Sequence, residues 1–292
     1  MTENYQIPKV IAEIGCNHKG DFEIAKELIL LAKACGANYA KFQKRNVREL
    51  LTEEQYNAPH PNKMHAYGET YGEHREFLEF TVEQHAELKE FCEKNGIGYA
   101  TSVWDLTSAK EIALLNPDYI KIPSACNNNL DLLRFLRDNY TGDIQVSLGM
   151  TTKEEEKNII EIFKENNSSK HRLILFSCTS GYPVAFEDIS LLEISRLYND
   201  YGKDVKEIGF SGHHLGIAVD IAAYTIGAVW IERHFTKDRT WKGTDHAASL
   251  EPGGLAKLVR DLNAVYKSLT YKKQEILDVE LIQREKLKFR IR

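Results

Sequence analysis

Eight short, almost continuously apolar runs punctuate the chain, and a longer segment of different periodicity follows nearly every one. The runs are KVIAEIG (9–15), NYAKFQ (38–43), IGYATS (97–102), DYIKIP (118–123), DIQVSL (143–148), RLILFSC (172–178), KEIGFS (206–211) and AVWIER (228–233). Such runs predict strands buried on both faces, as in a parallel sheet. Between them, DFEIAKELILLAKACG (21–36) repeats its apolar residues every three or four positions and ends in a glycine suited to a helix stop. TVEQHAELKEFCEKNG (81–96) opens on a threonine N-cap and ends in the same way, and TTKEEEKNIIEIFKEN (151–166) opens with acids. GIAVDIAAYTIGA (216–228) is apolar on nearly every side, which predicts a well-buried helix. Strand then helix, eight times over 292 residues, predicts an α/β fold of one domain, a (β/α)8 TIM barrel, with an open doubly wound sheet as its competitor.

Residues 46–80 break the rhythm with a long, polar and aromatic stretch between the second and third strands. A connection of that length is usually functional or disordered, and its varied composition predicts an ordered loop over the barrel mouth. The segment 257–292 reads as an amphipathic helix followed by a basic tail. A formal net charge of −5 argues against a sequence-independent hold on nucleic acid. Five cysteines, none in CxxC spacing, argue against a disulfide framework or structural zinc. No run approaches the ~20 apolar residues of a membrane span, and the start MTENYQIPKVIAEIG lacks the pattern of a signal peptide. The expectation is a cytoplasmic protein without a membrane partner.

In such a barrel, ligands sit at the C-terminal ends of the strands. Glu13, Lys41 with Gln43, Ser102, Lys121 with Ser124, Ser180 with Tyr182, Ser211 with His213, and Glu232 with His234 all fall at or just past predicted strand ends. Each has an ordinary explanation, since a serine is often a turn residue and a histidine is often a satisfied polar group. Their joint placement is harder to dismiss, because buried charges need partners or ligands. His213 and His234 lie one strand–helix unit apart and could share a divalent metal that keeps positions open for substrate. Lys41 and Lys121, with hydroxyls around them, suit an anion with several oxygens such as a phosphate. A Schiff-base lysine is the rival reading. Asp245, in KGTDH, could fold back over the mouth to bind a polyol, or be an ordinary turn residue.

The motifs IAEIGCNHKGDFEIAKELI, AKFQK, KIPSA, CTSGYP, GFSGHHLGIAV and IERHFTKDRTWKGTDHAASLEPGGL together resemble the sialic acid synthases over nearly the whole chain. TYGEHREFLEF and TWKGTDHAASLEP resemble the animal-type branch in particular. The resemblance implies an enzyme that condenses phosphoenolpyruvate with N-acetylmannosamine, its 6-phosphate or a related aldose, giving a nonulosonic acid and phosphate. It implies that Lys41, Ser102, Lys121, Ser124, Ser180 and Ser211 hold phosphoenolpyruvate, and that His213 and His234 bind Mn2+, with Mg2+ or Co2+ as alternatives. Gln43, Tyr182 and Asp245 would hold the sugar. Glu13 and Glu232 would join Lys121 in the catalytic centre, and the enzyme would be a homodimer.

Two departures stand out. Cys126, in KIPSACNNN, occupies the place where the resembled family usually has a carboxylate. The family also usually carries a C-terminal antifreeze-like domain, for which the reading of 1–292 as one barrel domain leaves no room. Sugar recognition would then fall to the barrel and to the 46–80 loop, where Arg75 could meet an anionic or acylated substituent. These departures keep two alternatives open. One is a sister synthase using mannose or mannose 6-phosphate. The other is a sugar- or phosphate-binding barrel without catalysis, against which the lysines and histidines argue.

Overall fold

A residue on a buried strand faces either the barrel axis or the surrounding helices, and the two choices alternate along the chain. That alternation organises the whole molecule. The computed structural model describes residues 5–289, so the first four residues of the N-terminal stretch and the last three of the basic tail lie outside the described residues. Eight parallel strands close into a barrel in sequence order: β1 (Lys9–Gly15), β2 (Tyr39–Lys44), β3 (Gly98–Val103), β4 (Tyr119–Ile122), β5 (Asp143–Ser147), β6 (Leu173–Cys178), β7 (Glu207–Gly212) and β8 (Trp230–His234). Strand β8 returns to pair with β1, so no sheet edge is left exposed. The barrel reading is correct, and every predicted strand lies within two residues of an observed one.

The outward set, including Val10, Ala12, Ile14, Phe42, Ile120, Ile122, Ile144, Val146, Leu175 and Ile208, packs against the helices as one continuous core. The inward set forms a second, smaller core of Ile11, Ala100, Tyr119, Ile174, Phe176, Val229 and Trp230. Tyr39, Tyr119 and Trp230 meet edge-on or tilted, with ring centroids 5.0–5.6 Å apart, and stopper the N-terminal end of the barrel. Gly98 makes this possible, since a Cβ there would lie 2.3 Å from the Tyr39 ring. Above the aromatic floor the inward positions turn polar.

Local signals start and stop the outer helices. Asp21 accepts from the N–H groups of Glu23 and Ile24, and Thr81 with Gln84 and Thr152 with Glu155 form reciprocal capping boxes. Such a cap stabilises by about 1 kcal/mol. Gly36 ends the first helix at φ +86°, a conformation costly for any residue with a Cβ. The helix expected to be well buried, observed as Ala218–Thr225, is a correction. It buries Asp220, Ala223 and Tyr224, while Ala218 and Thr225 are exposed and the rest half-buried. A helix in the outer ring of a barrel has one face on the strands, and apolar side chains elsewhere on it remain at the surface. The C-terminal segment holds two helices, Pro252–Ser268 and Asp278–Leu287.

Residues 46–80 carry helices Val47–Leu50, Glu53–Asn57 and Tyr71–Phe77. They are tied back to the barrel by Glu79, which accepts from Arg45 at both the backbone N–H (2.9 Å) and Nε (2.5 Å). They also reach the loop after β8: Tyr67 donates to the Lys242 carbonyl, and Gly243 N–H donates to His65 Nδ1 at 3.1 Å. All five cysteines are free thiols. Among the described residues, no helix is long and apolar enough to cross a membrane.

Candidate active site

The inward parity that gives β2 its Tyr39 floor also points Lys41 and Gln43 up the barrel. The same rule brings in Glu13, Ser102, Lys121, Ser211 and Glu232 from five other strands. Register places Glu13 beside Lys41, Gln43 beside Ser102, Ser102 beside Lys121 and Ser211 beside Glu232. Their side chains form one buried network. Lys41 Nζ lies 2.6 Å from Glu13 Oε2 and 3.6 Å from Glu232 Oε2, and Lys121 Nζ lies 2.5 Å from Glu232 Oε1. Ser211 donates to Glu232 Oε1 at 2.9 Å, Gln43 donates to Glu13 Oε1 at 2.9 Å, and Lys41 donates to Ser102 Oγ at 3.5 Å.

Two ammonium groups are thus matched by two carboxylates. Burial would raise the pKa of Glu232, but Lys121 and Lys41, helped by the Ser211 hydroxyl, outweigh it and bring the value down to about 2. Burial lowers that of Lys121, with Lys41 adding to the effect and Glu232 opposing it. The pairing is tight yet incomplete: Glu13 Oε2 is met by the Lys41 ammonium, but the buried Glu232 Oε2 accepts no hydrogen bond, with Lys41 Nζ 3.6 Å away. A buried acceptor left in this state is costly and marks a place where a ligand or water completes the network.

Beside the network, the backbone opens a seat between two hydroxyls. Gly149 N–H donates to Ser124 Oγ at 3.0 Å, and a Cβ on Gly149 would lie 2.4 Å from Ser180 Oγ and 2.7 Å from Ser124 Oγ. The hydroxyls of Ser124 and Ser180 therefore converge on a bare Cα, next to the Cys178 thiol, whose sulfur lies 3.9 Å from Ser124 Oγ. Gly149 and Cys178 are not among the residues expected from the sequence: the other strand ends announce themselves by polar side chains, and the end of β5 offers a backbone N–H instead. A glycine at a buried strand end is the signal that was there to be read.

His213 and His234 come together as expected, with ring centroids 5.6 Å apart. His213 donates from Nδ1 to the Thr179 carbonyl at 2.9 Å, which leaves Nε2 with its lone pair free. Burial, together with the neighbouring His234, lowers its pKa to about 3, so the ring is neutral. The buried Nδ1 of His234 has no hydrogen-bond partner, and Asp245 Oδ2 lies 4.0 Å away. Two neutral or orphaned ring nitrogens fit a divalent ion held by two protein ligands and completed by water or substrate oxygens. Among the described residues, no group of three or more His, Cys, Asp or Glu side chains offers a fuller cage. Tyr182 stands at the rim, half-exposed, with its ring 4.3 Å from that of His213.

Not every polar residue near the mouth faces the site. His18 stacks on Phe80 and accepts from Gly20 N–H. His246 shares a hydrogen bond with Thr236 Oγ1 and shapes the loop after β8. His214 joins Arg233 and Asp220 in a fully buried cluster behind the histidine pair, with Arg233 Nη1 donating to Asp220 Oδ2 at 2.6 Å. Cys126 is buried, and burial pushes its thiol up to about 12, so it is an inert small residue rather than a nucleophile. Arg75, expected at the sugar, lines a cavity of about 200 Å3 with Cys126 and Arg45. Arg45 had no place in the sequence reading, although the alternation 41, 43, 45 carries the inward parity one step past the end of β2.

Comparison with known proteins agrees with this geometry. The profile of the NeuB family matches residues 28–274. The chain is 39% identical to human N-acetylneuraminate-9-phosphate synthase over 278 residues, covering 95% of this chain and 76% of the human protein. It is 32% identical to N,N'-diacetyllegionaminic acid synthase of Campylobacter jejuni, over 89% of this chain and 77% of that protein. The crystal structure of N-acetylneuraminic acid synthetase from Leptospira borgpetersenii, solved with citrate, superposes with a TM-score of 0.80 at 29% identity. It covers 98% of this chain and 94% of that one.

Proposed function

Because the chain belongs to the NeuB family, the phosphoenolpyruvate-dependent nonulosonate synthases, we propose that it joins phosphoenolpyruvate to an open-chain mannose-type aldose. N-acetylmannosamine or its 6-phosphate is the acceptor we favour, and mannose or mannose 6-phosphate would give the deaminated product. The observation that carries this reading is the coincidence of a balanced Lys41–Glu13–Lys121–Glu232 network with the Gly149–Ser124–Ser180 seat. Phosphoenolpyruvate is a multiply charged anion. On entering, its carboxylate and phosphate draw on Lys41 and Lys121, and the hydroxyls of Ser102, Ser124, Ser180 and Ser211 supply neutral donors.

The reaction then needs three things. The enol carbon must reach the aldehyde carbon, and holding both substrates in one mouth supplies that proximity. The cationic centre left at the former enol carbon must take up water. Glu13, held between Lys41 and Gln43 beside the phosphoenolpyruvate lysines, is the carboxylate we assign to orient it. Phosphate must leave with its C–O bond broken, and fixed ammonium groups stabilise the departing charge without rearranging. His213 and His234 would hold the divalent ion, Mn2+ in our reading, and when bound it supplies Lewis-acid polarisation of an aldehyde oxygen. Gln43, Tyr182 and Asp245 surround the space left for the sugar chain, with the 46–80 segment as its roof, and a homodimer is the assembly we favour.

The test is phosphate release from phosphoenolpyruvate with Mn2+ across these four aldoses and two unrelated ones. Release with a mannose-type sugar, and a raised KM for phosphoenolpyruvate in Lys121→Ala, is the expected result. Release with none of the four, together with an unchanged KM in the variant on any active substrate, would overturn the acceptor class and the clamp.

A further inference from the structure

Arg233 stands between Glu232 and His234 on β8 and points the opposite way, into the layer between strands and helices. Ile231, the preceding outward residue, joins the apolar core there, whereas Arg233 places a charge in the same layer at 1% exposure. Its guanidinium is spent on the segment that follows β7. Nη1 donates to the Gly216 carbonyl at 2.7 Å and to Asp220 Oδ2 at 2.6 Å, and Nη2 donates to the His214 carbonyl at 2.6 Å. Asp220, on the helix Ala218–Thr225, and His214 are both fully buried. The fit is close, since a Cβ on Gly212 would lie 2.8 Å from His214 Cε1.

These contacts join the two chain segments that carry the histidine pair. His234 directly follows Arg233, and its carbonyl accepts from Leu250 N–H at 2.7 Å. His213 directly precedes His214, and its carbonyl accepts from Val184 N–H at 3.1 Å. The Arg233 fork then fixes the loop of His213 against the strand of His234. Stability alone does not account for such a cluster. A buried ion pair can be exchanged for apolar side chains of similar volume with little loss or with a gain. Here, moreover, Asp220 Oδ1, His214 Nδ1 and Arg233 Nε stay buried without hydrogen-bond partners. What a planar fork on fixed carbonyls supplies is geometry. We propose that Arg233 is a positioning residue for the divalent-ion site: by clamping the loop after β7 to β8, it sets the spacing of His213 and His234. This rests on the metal assignment within the synthase reading above.

The experiment titrates Mn2+ alone, by calorimetry, into the wild type, Arg233→Lys, and the double variant Arg233→Met with Asp220→Leu, which strands no buried charge. Phosphoenolpyruvate is titrated in parallel, and circular dichroism reports the fold. Mn2+ binding should weaken about 10- to 100-fold in the double variant, as on losing an outer support of ligating histidines. Arg233→Lys should lose part of that, because one ammonium cannot meet Asp220 and both carbonyls together. Phosphoenolpyruvate binding should stay near that of the wild type. Unchanged Mn2+ affinity in a folded double variant would overturn the proposal. So would a parallel loss of Mn2+ and phosphoenolpyruvate binding, which would make Arg233 a general support of the fold. If the double variant does not fold, Arg233→Lys decides, and unchanged Mn2+ affinity there overturns the clamp. A wild type that binds no Mn2+ would overturn the clamp and the metal assignment together. Weakened Mn2+ binding in the variants, with no turnover of any aldose by the wild type, would support the clamp and sink the synthase reading alone.

Discussion

Removing the charge of Glu232 tests the central network directly. In Glu232→Gln, Lys121 loses the carboxylate 2.5 Å from its ammonium and Lys41 loses one at 3.6 Å, in a place where all three side chains are at most 7% exposed. Breaking a buried ion pair from one side costs about 3–5 kcal/mol. An upper bound comes from Lys121 itself, which can shed its proton at neutral pH for about 5 kcal/mol. The glutamine still accepts a hydrogen bond, so the lower end, about 3 kcal/mol, is expected. For 292 residues the unfolding entropy is about 0.6 kcal/mol per degree, so Tm should fall by roughly 5 °C. The variant site then carries two ammonium groups against Glu13 alone, and an anion becomes its missing partner. Inorganic phosphate should therefore raise Tm more in the variant than in the wild type. Thermal unfolding at several phosphate concentrations measures both effects. A Tm within 1 °C of wild type, or equal phosphate shifts in the two proteins, would refute the idea that the lysines are held in balance by these carboxylates.

Three further predictions concern separate parts of the site. Gly149→Ala places a Cβ against Ser180 Oγ and Ser124 Oγ, and should raise the KM for phosphoenolpyruvate at least about tenfold, as expected for losing one charge-assisted contact; an unchanged KM would move the seat elsewhere. His234→Ala should abolish the calorimetric signal for Mn2+ and turnover together, with the far-ultraviolet spectrum intact. Retained Mn2+ affinity would remove His234 from the metal site. Tyr119→Phe should raise Tm by a degree or two, because the buried Tyr119 hydroxyl has no hydrogen-bond partner and its removal relieves about 1 kcal/mol. A fall in Tm would show that a buried water satisfies it.

The eight strands were legible because parallel strands in a barrel are buried on both faces and leave unbroken apolar runs. The inward residues were legible too, since Lys41, Ser102, Lys121, Ser211 and Glu232 interrupt those runs with charges and hydroxyls that a buried strand would otherwise avoid. What could not be read was who meets whom. Lys121 and Glu232 are 111 residues apart, and their contact follows from barrel closure and register, which no local pattern reports. The sequence reading therefore saw two lysines as an open anion clamp, where the structure shows them already paired. Gly149 escaped because its contribution is a backbone N–H and an absent Cβ. The helix Ala218–Thr225 was misjudged because apolar composition shows what a helix can bury, while its place in the ring determines what it does bury.

The aromatic stopper of Tyr39, Tyr119 and Trp230 has a consequence for traffic. A vessel closed at its base has one doorway, shared by everything that enters or leaves. The network around Lys121 lies well below the rim, whereas Tyr182 stands in the opening, 54% exposed. A molecule that settles against the lysines must therefore pass before the doorway fills, and it departs only after the later arrival has gone. The order of arrivals and departures is written into the shape of the container.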